Sequence, residues 1–345
     1  PSKDKYNFDN DGNLLYIADQ NDNRTNFTYD GNMLCKVENQ CGTLFFEYNS
    51  DNHLVQIHDH TERQVTFEYS NNHLVKVVHP SGSILKYEYN DIGRISKIIN
   101  PLGITTIQNE YDEHYRTVKQ SFADGGVYAL SYDDDKLTTI VTEQNGNKIQ
   151  YVRDEKYRTV KTIYANSEER YEYNDANKRT LYVDRNKNTR RFEYDKLGNM
   201  IKSIDPLGLE TLFSYDGVNL IEMIRENRRL STFKYDNKGN IIETKDPLNR
   251  TIRFEYDKKG QPIKTINSND GITAAEYDSA GNVIAITDAL GGVTRYEYNA
   301  LNQVVKTIQP EGNSMCFSYN IDGNISQATN AEGNSRYYYY NKNGN

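Results

Sequence analysis

Tryptophan is absent from this chain, and only 3 cysteines, 4 methionines and 7 prolines occur in its 345 residues. Three cysteines are too few for a disulfide scaffold and odd in number. A Cys35–Cys41 bridge across one hairpin is open on spacing, with two ordinary thiols the plainer reading. Long hydrophobic runs are also missing. No stretch approaches the ~18 apolar residues that mark a membrane helix, and Pro1-Ser2-Lys3-Asp4 lacks the apolar core of a signal peptide. We therefore expect no membrane insertion by this segment, with any targeting signal outside it. The net charge of −8 is spread along the chain with both signs mixed and no basic stripe. That argues against nucleic acid as a partner.

Catalytic signatures are missing too. There is no nucleophile elbow, phosphate loop or His-Glu metal helix. Paired carboxylates occur throughout, so their pairing carries no catalytic signal. The expectation is a protein that is not an enzyme and needs no cofactor.

What is present is tyrosine, 29 against 11 phenylalanines, in a chain only 36% hydrophobic with a mean hydropathy of −0.86. Such a composition cannot fill a thick core. It is not a disordered one either, because aromatic and β-branched residues abound. Thin, amphipathic burial is what remains, and a repeat accounts for it. Aligned on Tyr-Asp/Asn, the chain has anchors at Tyr29, Tyr48, Tyr69, Tyr89, Tyr111, Tyr132, Tyr173, Tyr194, Tyr215, Tyr235, Tyr256, Tyr277, Tyr298, Tyr319 and Tyr340, with Phe8 and Arg153 in the two remaining slots. Most intervals are 21 residues, and none is large enough to hide a second domain. Residues 1–345 read as one array of about 17 repeats, a piece of a longer protein.

Each unit predicts strand, turn, strand. Val283-Ile284-Ala285-Ile286-Thr287 is β-branched, Asp288-Ala289-Leu290-Gly291-Gly292 is turn chemistry, and Val293 to Tyr298 alternates with period two. Two kinds of turn recur, both read as a type I turn closed by a glycine at positive φ. One is Pro-x-Gly, ending in Gly82, Gly103, Gly208 and Gly312; the other follows the anchor, as with Gly198, Gly239 and Gly281, and its leading Asp or Asn caps the turn. The residue two before the anchor is aromatic in 14 of 17 units, and the one between is often Glu, as at Glu68, Glu193 and Glu297. Alternation puts the aromatics on one face and the carboxylates on the other. Tyrosine suits a single-layer sheet because its ring buries area while its hydroxyl stays wet.

Roughly 34 strands at ~4.8 Å spacing make a ribbon about 160 Å long, which twist forces to coil; closed in one turn it would be about 50 Å across. The fold expected is all-β, tandem hairpins forming a continuous antiparallel ribbon coiled into a hollow spiral shell or barrel. The alternative is a β-propeller of two repeats per blade, suggested by Asp112-Glu113-His114-Tyr115-Arg116-Thr117-Val118 recurring as Asp154-Glu155-Lys156-Tyr157-Arg158-Thr159-Val160.

Phe192-Glu193-Tyr194-Asp195-Lys196-Leu197-Gly198-Asn199 and Ile204-Asp205-Pro206-Leu207-Gly208 resemble the YD repeats of Rhs and teneurin-type proteins. The resemblance covers essentially the whole chain, departing from the anchor at Phe8 and Arg153. It implies a secreted or cell-surface protein whose repeats wall in a C-terminal toxin or effector cargo, handed on by a secretion or delivery component. A glycan-binding adhesive surface is the alternative function. The self-cleavage motif of that family is matched in letters by Asp205-Pro206-Leu207-Gly208-Leu209, but here Pro-x-Gly is an ordinary turn with further repeats after it. Metal sites remain as minor readings. His58 and His60 would share a strand face with His79 in the equivalent slot, and Asp9-Asn10-Asp11-Gly12-Asn13 and Asp322-Gly323-Asn324 loosely resemble calcium loops without the remaining ligands.

Overall fold

A computed structural model describes residues 3–344 as a single antiparallel sheet of 33 strands, from Lys5–Phe8 to Ser335–Tyr337, with no helix among the described residues. Each strand pairs with its predecessor and its successor. The four-stranded blocks of a propeller are not formed.

The repeat's chemistry sets this geometry. Aromatics two before the anchor face small or β-branched residues across the ladder: Phe192 faces Ser203, Phe254 faces Thr265 and Tyr296 faces Thr307. Such pairs contribute about 0.2–1 kcal/mol each. On the opposite face, the Glu before the anchor meets a Lys on the next strand, as in Glu68–Lys76 at 2.7 Å, Glu88–Lys97 at 2.8 Å and Glu255–Lys264 at 2.8 Å. These lysines stand eight or nine residues after each Glu, a spacing legible in the sequence.

At the anchor the register slips. Glu297 faces Lys306 but Tyr298 faces Val304, and the same bulge recurs at Tyr194, Tyr256, Tyr277 and Tyr319. A bulge bends its strand and increases local twist. Repeated at nearly every hairpin, it supplies the curvature of the ribbon.

Turns follow two plans. In the longer one Asp195 accepts hydrogen bonds on Oδ1 from the N–H of Leu197 and of Asn199, both at 2.9 Å, and Gly198 stands at φ 82°. Shorter units depart from the type I plan expected for all turns. Asn71-Asn72 and Glu226-Asn227 close their hairpins in two residues, with φ of 49° and 62°, and of 49° and 61°. Two consecutive positive φ values are the geometry that matches strand twist in a two-residue loop. Tyr115 and Tyr157 occupy the glycine slot at φ 63° and 59°. Substituting Tyr157→Gly is expected to stabilise the chain by about 1 kcal/mol, read as a higher urea midpoint, because a bulky residue is strained there.

The ribbon coils past one full turn. The turn at Asp19–Asn23, between the second and third strands, meets the turn at Asp236–Asn240, between the twenty-third and twenty-fourth. Farther along, Gln40, His60 and Ser81 touch Lys259, Ala300 and Asp322. One turn thus takes about 22 strands, so its circumference is roughly 105 Å and its diameter about 34 Å. That is narrower than the 50 Å of single closure, because the 33 strands make about one and a half turns.

Candidate functional site

The residues singled out by the repeat lie on two edges and one face. On the face, anchor hydroxyls are not merely wet. The ladder from Tyr298's strand to the preceding one ends at Arg295–Ala285, and beyond that point the Tyr298 hydroxyl donates to the Val283 carbonyl at 2.7 Å. Tyr256 donates likewise to Ile241 at 2.7 Å, Tyr235 to Leu220 at 2.7 Å and Tyr319 to Val304 at 2.6 Å. Tyr48, Tyr89, Tyr111, Tyr132, Tyr173, Tyr194, Tyr277 and Tyr340 repeat the contact. Tyr29, Tyr69 and Tyr215 hold the same slot in strands that run one residue further. Each hydroxyl closes a place where two strands splay, so the anchor is a hydrogen-bonded rivet as well as a buried ring. Burial pushes the Tyr256 phenol upward, with nearby Asp236 adding to the effect.

The two edges carry the glycines, all at positive φ: Gly82, Gly103, Gly208 and Gly312 on one, Gly198, Gly239 and Gly281 on the other. Edges of successive coils meet in a seam. Gln20 Nε2 and Asn21 Nδ2 donate to Asn240 Oδ1 at 3.0 and 3.1 Å, Asn23 Nδ2 to the Lys259 carbonyl at 2.8 Å, and Asn302 Nδ2 to the Cys41 carbonyl at 2.8 Å. Lys259 Nζ reaches Gln40 Oε1 at 2.9 Å. Gly239 and Gly281 also serve close approach here, since a Cβ would stand 3.1 Å from Gln20 Oε1 and 3.0 Å from Gln40 Nε2. Within an edge, the residue after the positive-φ position of the turn, Gly198, Gly260 or Asn302, ties sideways to the next turn: Asn199 to the Gly217 carbonyl at 2.8 Å, Gln261 to Gly281 at 3.2 Å and Gln303 to Gly323 at 3.0 Å. No feature of one repeat announces the seam, because it joins residues some 220–260 positions apart.

The histidines separate. The strand ends at Asp59, so His58 and His60 do not share a face. His58 stacks on Phe45 at 4.8 Å, while His60 lies in the turn with Nε2 2.8 Å from the Ala300 carbonyl and Nδ1 accepting from the Thr43 N–H at 3.4 Å. Nε2 therefore carries the proton, and His60 is a seam residue. His58 and His79 line one groove of about 590 Å³ between the coils with Arg63 and Asp322. No three His, Cys, Asp or Glu side chains gather as a metal site among the described residues. Asp9 Oδ1 is occupied instead by the N–H groups of Asp11 and Asn13, at 2.9 and 2.8 Å. All three cysteines are free; Cys35 sits in a strand and donates weakly to the Thr28 carbonyl, while Cys41 lies at the seam, 3.5 Å from the Ala280 carbonyl. The Cys35–Cys41 bridge is not formed.

Comparison with known proteins places this geometry. The Teneurin YD-shell model matches residues 2–156, and the RHS Repeat model matches residues 235–273 and 277–314; neither reaches the stretch between. No curated protein matches the chain. Among solved structures, TcdB2-TccC3 without its hypervariable C-terminal region superposes with a TM-score of 0.71 at 12% identity, covering 99% of this chain and 22% of that one. The Photorhabdus luminescens Tc holotoxin pore gives 0.65 at 12% identity, covering 96% and 22%, and TcdB2-TccC3-Cdc42 gives 0.67 at 12%, covering 95% and 21%. At that identity the likeness is one of fold, and the chain spans about a fifth of the length of these relatives, 22% of the first.

Proposed function

We propose that this chain, whose repeats match the Teneurin YD-shell and RHS Repeat models over parts of its length, is a wall segment of a closed shell that sequesters a C-terminal cargo of the same polypeptide. The observation that carries this reading is the seam: successive turns of the ribbon bond edge to edge through Asn21, His60 and Asn302, so the coil becomes a wall rather than an open band. The groups are spent on structure. Hydroxyls cap splayed carbonyls, carboxylates cap turns or pair with lysines, His53 and His58 stack on aromatic rings, and His60 bridges the coils. A structural role follows more naturally than a catalytic one.

Residues 1–345 then form one repeat domain of a larger secreted or cell-surface protein, with a toxin or effector following the repeats and a delivery component receiving it. The resemblance of fold to TcdB2-TccC3, whose solved form lacks a hypervariable C-terminal region, supports that order. In the full-length protein, a protease site placed in the segment after the repeats should resist cleavage in native buffer and be cut at once after the shell is opened by acid. Equal cleavage in both states would remove the enclosure reading. The shell residues themselves should remain intact in the native sample.

A further inference from the structure

The seam joins two unlike edges. Turns between Asp19 and Ser83 contribute one, the edge of the Pro-x-Gly class, and turns between Asp236 and Asn324, which follow anchor tyrosines, contribute the other. Partners lie some 220–260 positions apart. By that offset the turns at Asp205–Leu209, Asp246–Arg250 and Asp288–Gly292, on the first edge, would find their partners past residue 345. The turns at Asn90–Arg94 and Asp195–Asn199, on the second, would find theirs before residue 1. Each chain therefore presents two rims with no coil of its own facing them, one of each kind.

Both rims are crested with large apolar side chains, where turns ordinarily carry polar ones. On the first, Leu207, Leu248 and Leu290 are 83, 73 and 97% exposed; on the second, Ile92 and Leu197 are 51 and 61% exposed. Inside the seam the same slots are filled or covered differently. Asn21, Thr61 and Ser81 take the crests of the first edge, and the Ser81 N–H donates to Asp322 Oδ1 at 3.2 Å. Leu301, in the slot of Ile92 and Leu197, is half-buried against the neighbouring coil, sharing a hollow with Val37 and Leu44. A leucine in this slot is covered where the rim is occupied and bare where it is not. The hairpin itself does not account for crest leucines as exposed as Leu290. Polar partners recur as well, since Asn313 and Asn334 repeat the slot from which Asn23 Nδ2 reaches the Lys259 carbonyl at 2.8 Å.

We propose that the chain docks a second copy of itself through these rims, the first rim of one molecule on the second rim of the next. Shape argues for this occupant. Rims of identical chains share one curvature and one spacing of turns, so they meet crest to crest along an arc, as the two coils within a single chain already do. A globular partner has no such arc. Because the two rims differ, the contact is heterologous, and copies stack head to tail without closing on themselves. The bare leucines supply apolar surface of the kind that marks protein contacts, and the asparagine slots supply hydrogen bonds. This contact extends the seam and holds whether or not the wall encloses a cargo.

Sedimentation velocity of the 345-residue chain over about 1 to 100 µM tests it, a range that registers a micromolar contact. The weight-average mass is expected to climb beyond that of a dimer. Leu207→Asp/Leu248→Asp/Leu290→Asp alters crests exposed enough to leave the circular dichroism unchanged, and it should weaken association about tenfold or more. Ile92→Asp/Leu197→Asp should do the same from the other rim. Each variant keeps the rim that the other lacks. At a concentration where neither assembles alone, an equimolar mixture should therefore recover association and stop at the dimer. A wild-type chain that stays monomeric at the top of the range would overturn the proposal. So would a wild-type dimer that grows no further, unchanged association in either variant, or a mixture that stays monomeric.

Discussion

Replacing Tyr256 with alanine is expected to lower stability by about 3 kcal/mol, and replacing it with phenylalanine by about 1 kcal/mol. Alanine deletes a ring that covers the aromatic face and strands the Ile241 carbonyl; phenylalanine keeps the ring and loses only the 2.7 Å hydroxyl bond. The ring's half-exposed position keeps the larger figure at the low end for an aromatic truncation. Contacts in this sheet join only neighbouring strands apart from the seam, so the damage should stay local, as in other repeat arrays. Hydrogen exchange should accelerate in Ile241–Lys245 and Thr251–Tyr256 while distant strands such as Ile84–Tyr89 keep their protection. No loss in the phenylalanine variant would mean that the ring, not the rivet, explains the choice of tyrosine.

Acid should open the array in a steep transition. Asp59 is buried, which alone would raise its pKa, but hydrogen bonds from the Thr61 hydroxyl and N–H and from Arg63 hold it at about 2. A carboxyl depressed in the folded state contributes stability that is complete above its unfolded value near ~4 and is lost as pH falls through the folded value; for Asp59 this amounts to roughly 2 kcal/mol. Asp19, Asp236 and Asp278 are shifted in the same direction, each against a burial effect, by hydrogen bonds within their turns. All these caps lose their contribution as pH falls below the unfolded value near ~4, and circular dichroism should show unfolding as pH drops from there toward the Asp59 value of about 2. Asp59→Asn should flatten this loss while lowering stability at neutral pH. The anchors act at the other end. Tyr235 and Tyr277 are raised by burial, so their contribution is present below their unfolded value near ~10 and fades as pH climbs through the folded one.

Local structure was legible because each rule acts within one hairpin. Alternation gave the faces, the Pro-x-Gly and Asp-x-x-Gly patterns gave the turns, and a constant spacing gave a single ribbon. What escaped depends on geometry beyond the hairpin. The bulge before Tyr298 is a register slip that no residue type marks, and the hydroxyl bond to Val283 follows from the splay beyond the ladder. Two-residue turns such as Asn71-Asn72 were hidden by the glycine rule, since asparagine also tolerates positive φ. The seam required the pitch of the coil, which twist per strand decides.

The coil itself is tested most directly by one distance. With Cys35, Cys41 and Cys316 replaced by serine, spin labels at Asp22 and Lys238 lie in the two turns that the seam joins. Pulsed dipolar spectroscopy should give a narrow distribution near ~20 Å, the span of two labels on adjoining turns. A ribbon that did not return on itself would place those turns, twenty-one strands apart, roughly 100 Å from each other. A broad distribution or no measurable coupling would contradict the wall.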